Sequence, residues 1–171
     1  MSGDIFRGDI RRAEPAEAFE ALKRLKDEGY NVLVDFTAVD FSACNSEASG
    51  GPPAARFEVV YRLMKLNAET GMDEGRVELR CAAAEGEAVP RSVASLWPIA
   101  DWLEREVWDM FGIPFADRPD IKRLLLYEEF QGHPLRKDYP ITKRQPLIGP
   151  ASGEPVDSPT FNQIKPAIKY D

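Results

Sequence analysis

The chain has 171 residues, with 29 acidic against 22 basic side chains, a net charge of −7 and 43% hydrophobic residues. That is enough apolar material for one domain with a buried core, and the acidic balance excludes nucleic acid or an anionic lipid surface as the main partner, since both select a basic face. Two cysteines, Cys44 and Cys81, and one histidine, His133, fall short of the ligand sets of an iron–sulfur cluster or a structural zinc site, so any redox centre belongs to another chain.

Residues 1–12 are mixed in charge and lack the apolar core of a signal peptide. The longest nearly apolar stretch, 93–100, is far short of the roughly 20 residues that cross a bilayer. The cysteines are accordingly expected as reduced thiols in a cytosolic compartment.

The first element reads as a helix over residues 14–28. Pro15 suits its first turn, Phe19, Leu22 and Leu25 recur at helical spacing, and Gly29 ends it. Residues 30–41 then alternate with period two, Tyr30, Val32, Val34, Phe36 and Ala38 sharing one face of a strand. Residues 42–55 are small, polar and rich in Gly and Pro, a surface loop without the Lys-Ser/Thr that a phosphate cradle needs. Strands follow at 56–66 and 76–82, with Phe57, Val59, Tyr61 and Leu63 on one inner face and Val77, Leu79 and Cys81 on the other. The polar loop 67–75 joins them as an antiparallel hairpin, and Cys81 takes the place of a small core residue.

A short helical segment over 92–97 precedes a longer helix from Ile99 to Phe111, which Gly112 and Pro114 stop. Leu124, Leu125 and Leu126 suit a late strand within 120–126. This order predicts an α+β two-layer sandwich, with helices on one face of a mainly antiparallel or mixed sheet. Residues 1–133 form that domain. Residues 134–171 hold seven of the 14 prolines, among scattered apolar side chains including Leu135, Tyr139, Ile141 and Phe161. This predicts an extended arm laid along another protein, the alternative being a disordered tail.

The helix 99–111 carries the acids that invite a catalytic reading. Helical spacing puts Ile99, Leu103, Val107 and Met110 on one apolar face, with Glu106 inside it, Asp109 at its flank, and Glu104 and Trp108 on the opposite side. A carboxylate on an apolar face must be paired or protonated. Glu106 is therefore either a general acid or, as we read it, an ionic tie to Arg123, Arg136 or Lys137. Replacing Glu106 or Arg123 is then expected to destabilise the domain. Trp108 on the outer side suggests a helix sandwiched between its own sheet and a partner. His133 lies in a turn fixed by Gly132 and Pro134 and has no second histidine to share a metal.

Three blocks in order, Glu104-Arg105-Glu106-Val107-Trp108-Asp109-Met110-Phe111-Gly112-Ile113, then Pro119-Asp120-Ile121-Lys122-Arg123-Leu124-Leu125, then Gly132-His133-Pro134-Leu135-Arg136-Lys137-Asp138-Tyr139-Pro140, closely resemble the 30-kDa subunit, or C subunit, of respiratory complex I. The chain departs from that family's usual pattern with Asp117-Arg118 in place of Gly-His and with Trp108 in place of Tyr. The resemblance implies a hydrophilic peripheral-arm subunit of a proton-pumping NADH:quinone oxidoreductase, on the cytoplasmic side of a bacterial inner membrane. It also implies no cofactor in this chain, with FMN, iron–sulfur clusters, NADH and quinone bound by partner subunits. The partners implied are the D subunit, which helps form the quinone site, and neighbouring cluster-bearing subunits, so that membrane association is indirect and through the complex. Glu104, Arg105, Glu106, Asp109, Arg123, Arg136, Lys137 and Asp138 are then signature and ion-pair residues. Trp108, Phe111, His133, Leu135, Tyr139, Ile141 and Phe161 are then the partner interface. A related subunit of a membrane-bound hydrogenase or F420 oxidoreductase shares the domain. A small hydrolase using Glu106 and His133 is the alternative from another class.

Overall fold

The computed structural model describes residues 8–42, 55–83 and 90–146. Its elements are β1 (Asp9–Ala13), α1 (Ala18–Asp27), β2 (Val32–Asp40), β3 (Phe57–Leu66), β4 (Asp73–Ala83) and α2 (Ala100–Phe111). The four strands form one mixed sheet in the order β1-β4-β3-β2, with β1 parallel to β4 and the other pairs antiparallel. The α+β expectation holds, and β1 is an addition to it. Its residues Asp9, Ile10, Arg11 and Arg12 are exposed, so an edge strand with charged side chains carries no alternating apolar signal.

Helix α1 starts at Ala18, not at residue 14, because residues 15–17 form a turn closed by the Glu17 and Ala18 amides on the Glu14 carbonyl. Ala18, Leu22 and Leu25 form its buried stripe. It ends in a Schellman cap: Gly29 takes φ +101° and the Tyr30 amide bonds the Leu25 carbonyl at 3.1 Å.

Strands β3 and β4 keep the expected phase, with Phe57, Val59, Tyr61 and Leu63 buried opposite Val77, Leu79 and Cys81. Burial pushes the Cys81 thiol up to about 12. In β2 the phase slips. A bulge between Leu33 and Asp35 leaves Val34 exposed and turns Leu33 inward, so Leu33, Phe36 and Ala38 face the core. Phe36 packs on Tyr61 and Phe115 at ring separations of 4.7 and 5.8 Å.

Both helices contribute to one core with these strands. On the opposite sheet face Glu58 and Glu78 are buried beneath arginines. Arg80 and Arg62 hold Glu78 at 2.6 and 2.9 Å, while Arg80 and Arg12 reach Glu58 at 3.4 and 3.8 Å. The expected helical segment at 92–97 is a turn, and residues 124–126 are a bend rather than a strand.

Candidate functional site

The site is α2 together with the irregular chain 115–146 that wraps it. Helix α2 buries Ala100, Glu104, Val107, Asp109, Met110 and Phe111. Val107 and Met110 of the expected apolar face are buried and Leu103 is partly buried, but Ile99 is 51% exposed, and Ala100, Glu104 and Phe111 join the buried stripe. Glu106 is exposed and makes no ion pair among the described residues. The tie assigned to it is made instead by Glu104 and Asp109.

Glu104 is fully buried. One of its oxygens accepts the Val93 amide at 2.8 Å and the other accepts Arg118 Nη1 at 2.9 Å. Arg118 also grips Asp101, through the carboxylate at 2.5 Å and the carbonyl at 3.2 Å. Its neighbour Asp117 accepts the Ser92 amide at 2.7 Å. The Asp117-Arg118 pair thus braces the start of α2 against the strand-exit segment, a function its charge pattern in the sequence did not reveal.

Asp109 is fully buried at the other end. Its Oδ1 accepts Arg123 Nη1 at 2.7 Å, and its Oδ2 accepts the amides of Leu124, Leu125 and Leu126 at 3.0, 2.8 and 2.9 Å. Those amides cannot join a sheet ladder, which is why the Leu-rich stretch forms no strand. Burial works to raise the Asp109 pKa, but the three amides and Arg123 outweigh it and hold the carboxyl below its ordinary value. Arg123 is completed by the carbonyls of Phe130 and Gly132 at 2.8 and 3.3 Å, and its guanidinium lies over the rings of Trp108 and Phe130.

The last turn of α2 leaves carbonyls without helical partners, and the Gly132-His133-Pro134-Leu135 block supplies them. His133 Nδ1 donates to the Asp109 carbonyl at 2.9 Å, and the Leu135 amide donates to the Met110 carbonyl at 3.1 Å. Gly112 adopts φ +72° and returns its amide to the Trp108 carbonyl at 2.8 Å. A Cβ on Gly112 would lie 2.5 Å from the His133 ring, so glycine is required twice there. Trp108 meets the His133 ring edge-on at 6.0 Å. Burial lowers the His133 pKa and the nearby Arg123 and Arg136 lower it further, against the Asp109 carbonyl bond.

Residues 134–146, expected as the start of an extended arm, lie against this domain. The Lys137 amide donates to Asp40 Oδ2 at 2.8 Å, and Arg56 bridges Asp40 and Asp138 at 3.2 and 2.7 Å. Desolvation opposes ionisation of Asp40, yet Arg56 and the Ser42 and Lys137 amides pull its pKa far below the usual carboxylate range. Arg136 lies over Phe57, Tyr139 stacks on Phe130 with ring centroids 6.1 Å apart, and the Tyr127 hydroxyl donates to the Pro146 carbonyl at 2.7 Å. The rest of the arm, including Phe161, and most of the 42–55 loop lie outside the described residues.

Of the expected interface residues, Phe111 is corrected: it is 7% exposed and belongs to the core. Trp108, His133 and Tyr139 are half-buried against their own chain. Leu135 and Ile141 are exposed. Arg105 donates to the carbonyls of Lys122 and Arg123 and lies over Trp102, a 54% exposed aromatic not singled out from the sequence. Among the described residues no group of three His, Cys, Asp or Glu side chains is placed to hold a metal, and no helix is long and apolar enough to cross a membrane.

Residues 11–145 match the model of the family described as respiratory-chain NADH dehydrogenase, 30 Kd subunit. The NADH-quinone oxidoreductase C subunit of Citrifermentans bemidjiense is 38% identical over 148 residues, 84% of this chain and 83% of that protein. The NADH-quinone oxidoreductase C/D subunit of Methylococcus capsulatus is 40% identical over 136 residues, 78% of this chain and 22% of that one. Among solved structures, the trypsin-resistant fragment of Nqo5 superposes with a TM-score of 0.56 at 31% identity, covering 65% of this chain and 80% of the fragment. A chain of an archaeal membrane-bound sulfane sulfur reductase gives 0.57 at 26% identity, covering 80% of this chain and 76% of that one.

Proposed function

The chain belongs to the respiratory-chain NADH dehydrogenase 30 Kd subunit family, and we propose that it serves as a non-catalytic, cofactor-free scaffold in the peripheral arm of an NADH:quinone oxidoreductase. The observation that carries the scaffold reading is the commitment of the buried polar groups of the site. Glu104, Asp109 and Arg123 spend their hydrogen bonds on backbone, on Arg118 or on one another, and His133 commits Nδ1 to the Asp109 carbonyl. A general acid needs a free proton-bearing atom facing a reactant, and the carboxylates of Glu104 and Asp109 are fully buried in their own fold.

Its neighbours in this reading are the quinone-site D subunit and cluster-bearing subunits, which hold the flavin, the clusters and the quinone. The Methylococcus protein, with both C and D in its name, supports the D subunit as the first neighbour, because one chain there contains a region like this one. The membrane side is the cytoplasmic one, reached through the complex. The likeness to a sulfane sulfur reductase chain favours a second reading, the corresponding subunit of a sister respiratory assembly.

Affinity isolation of the tagged chain from detergent-solubilised native membranes tests both. Flavin, iron–sulfur and quinone-site subunits with NADH:quinone activity are expected to accompany it. Hydrogenase-like or sulfur-reductase partners would transfer the chain to the sister assembly. A solitary protein, or hydrolase activity in the purified chain, would overturn the scaffold reading.

A further inference from the structure

Residues 134–146 carry Arg136, Lys137, Lys143 and Arg144 against one acid, Asp138, a net of +3 in a chain of −7, so that the other residues together carry −10. Asp138 is taken by Arg56. No carboxylate among the described residues makes an ion pair with Lys137, Lys143 or Arg144, and the nearby Glu128 and Glu129 are no exception. Between these cations stands Ile141, 100% exposed, with Leu135 at 53%.

One exposed isoleucine needs no explanation by itself. This one differs in how it is held. It follows Pro140 in a turn closed by the Lys143 amide on the Pro140 carbonyl at 3.0 Å. That turn is anchored by the Leu135 amide on Met110, by Asp40 on the Lys137 amide and by Tyr139 on Phe130. The chain thus spends several tertiary contacts on fixing a segment whose apolar tip is buried by none of the described residues. A side chain presented on a fixed turn loses little freedom when it is buried by a partner.

We propose that the turn 140–143 docks Ile141 into an apolar socket rimmed by carboxylates on a neighbouring protein subunit, with Lys137, Lys143 and Arg144 supplying the charge complement. This rests on the scaffold reading above. An anionic lipid surface fits less well. It is an extended plane, so acidic groups of this chain brought within the roughly 8 Å screening length on either side of the turn are repelled by it. A compact acidic rim meets the basic turn alone.

The test uses the full-length chain in its native assembly, with a benzoylphenylalanine photocrosslinker at position 141. Irradiation is expected to give one major adduct, on a segment of another subunit that carries at least two Asp or Glu near an apolar pocket. The variant Lys137→Glu/Lys143→Glu/Arg144→Glu is expected to lower recovery of that subunit with the tagged chain about tenfold or more at 150 mM salt. Ile141→Asp is expected to do the same. Lys137, Arg144 and Ile141 are exposed, so Lys137→Glu/Arg144→Glu and Ile141→Asp keep the wild-type melting temperature. Lys143 also donates to the Gln131 carbonyl and lies over Tyr139, so the triple variant is read beside that double variant, which is expected to lose the subunit as well. Adducts confined to lipid or to this chain would overturn the proposal, as would variants that assemble as the wild type does. If the wild-type chain brings down the NADH:quinone subunits but Ile141 gives no such adduct, this inference alone fails. If it brings down none of them, the scaffold reading itself fails.

Discussion

Replacing Asp109 by alanine removes one buried carboxylate and strands four donors: Arg123 and the amides of Leu124, Leu125 and Leu126. Removing one partner of a buried ion pair costs about 3–5 kcal/mol. A dry amide left unpaired costs about 1–3 kcal/mol more, but Leu125 is 63% exposed, so water reaches this bend and the amide contribution is small. A loss of about 3–5 kcal/mol remains, a large share of the roughly 5–15 kcal/mol that holds a domain folded. For a chain of this size it lowers the melting temperature by about 6–20 °C. Glu106→Ala, on the same helix but exposed, is expected to stay within about 0.5 kcal/mol of wild type. Thermal and urea unfolding of the purified chain, followed by circular dichroism, read both. Equal stabilities for the two variants would refute the assignment of the tie to Asp109. So would an Asp109→Leu/Arg123→Met double variant no more stable than Asp109→Ala, because matched apolar replacement of a buried pair is far less costly than orphaning one charge.

Other expectations follow from the same geometry. Gly112→Ala forces a Cβ into the left-handed region and against the His133 ring, and a loss of about 1–3 kcal/mol is expected in urea unfolding; an unchanged midpoint would dismiss the double role of this glycine. His133 has a lowered folded-state pKa, so the unfolded chain binds the extra proton first. Stability should fall as pH drops from about 6.5, the unfolded value, towards the lower folded value, and His133→Gln should lack that component in melts compared between pH 7.5 and 5. Asp109 acts further down the scale with the sign of a depressed carboxyl. Its contribution is complete above about pH 4 and is lost as pH falls through its folded pKa, so wild type and Asp109→Asn should converge in stability at strongly acid pH. Cys81 is fully buried with its thiol held protonated; in a Cys44→Ala background, iodoacetamide labelling should appear only as urea unfolds the chain.

How much of this could be read from residues alone depends on how far each signal was local. Over Phe57 to Leu63 and Val77 to Cys81 the inward positions of β3 and β4 follow the two-residue period of the sequence. One extra residue at Val34 was enough to reverse the first turn of β2, and no composition marks a bulge between valines. The helix phase was right at Val107 and Met110 and wrong at Ile99 and Glu104. By spacing Ile99 reads as an anchor of the apolar face, but it stands at the helix boundary and is half exposed, while the buried stripe contains Glu104. A glutamate reads as a surface residue until its arginine is known, and Arg118 lies 14 positions away. Leu124, Leu125 and Leu126 looked like a strand because their side chains are apolar; their fate is decided by backbone amides, which every sequence shares. The family resemblance, by contrast, rested on blocks 104–140, where cap, clamp and bend are encoded together, and the comparisons agree with it.

The closure at Asp40 sets an order of events during synthesis. The Lys137 amide that satisfies its carboxylate lies 97 positions later, and the carbonyls at the end of α2 wait for His133 and Leu135. A ribosome adding about 5–20 residues per second takes about 1–6 s to pass from Phe111 to Tyr139. For that interval the nascent sheet and helix exist without their fastener: Asp40 has Arg56 and the Ser42 amide but not the Lys137 amide, and the last turn of α2 has open carbonyls. The block 132–138 therefore acts as the last stitch of translation. Messages truncated before it should yield chains with every regular element encoded and no closed fold.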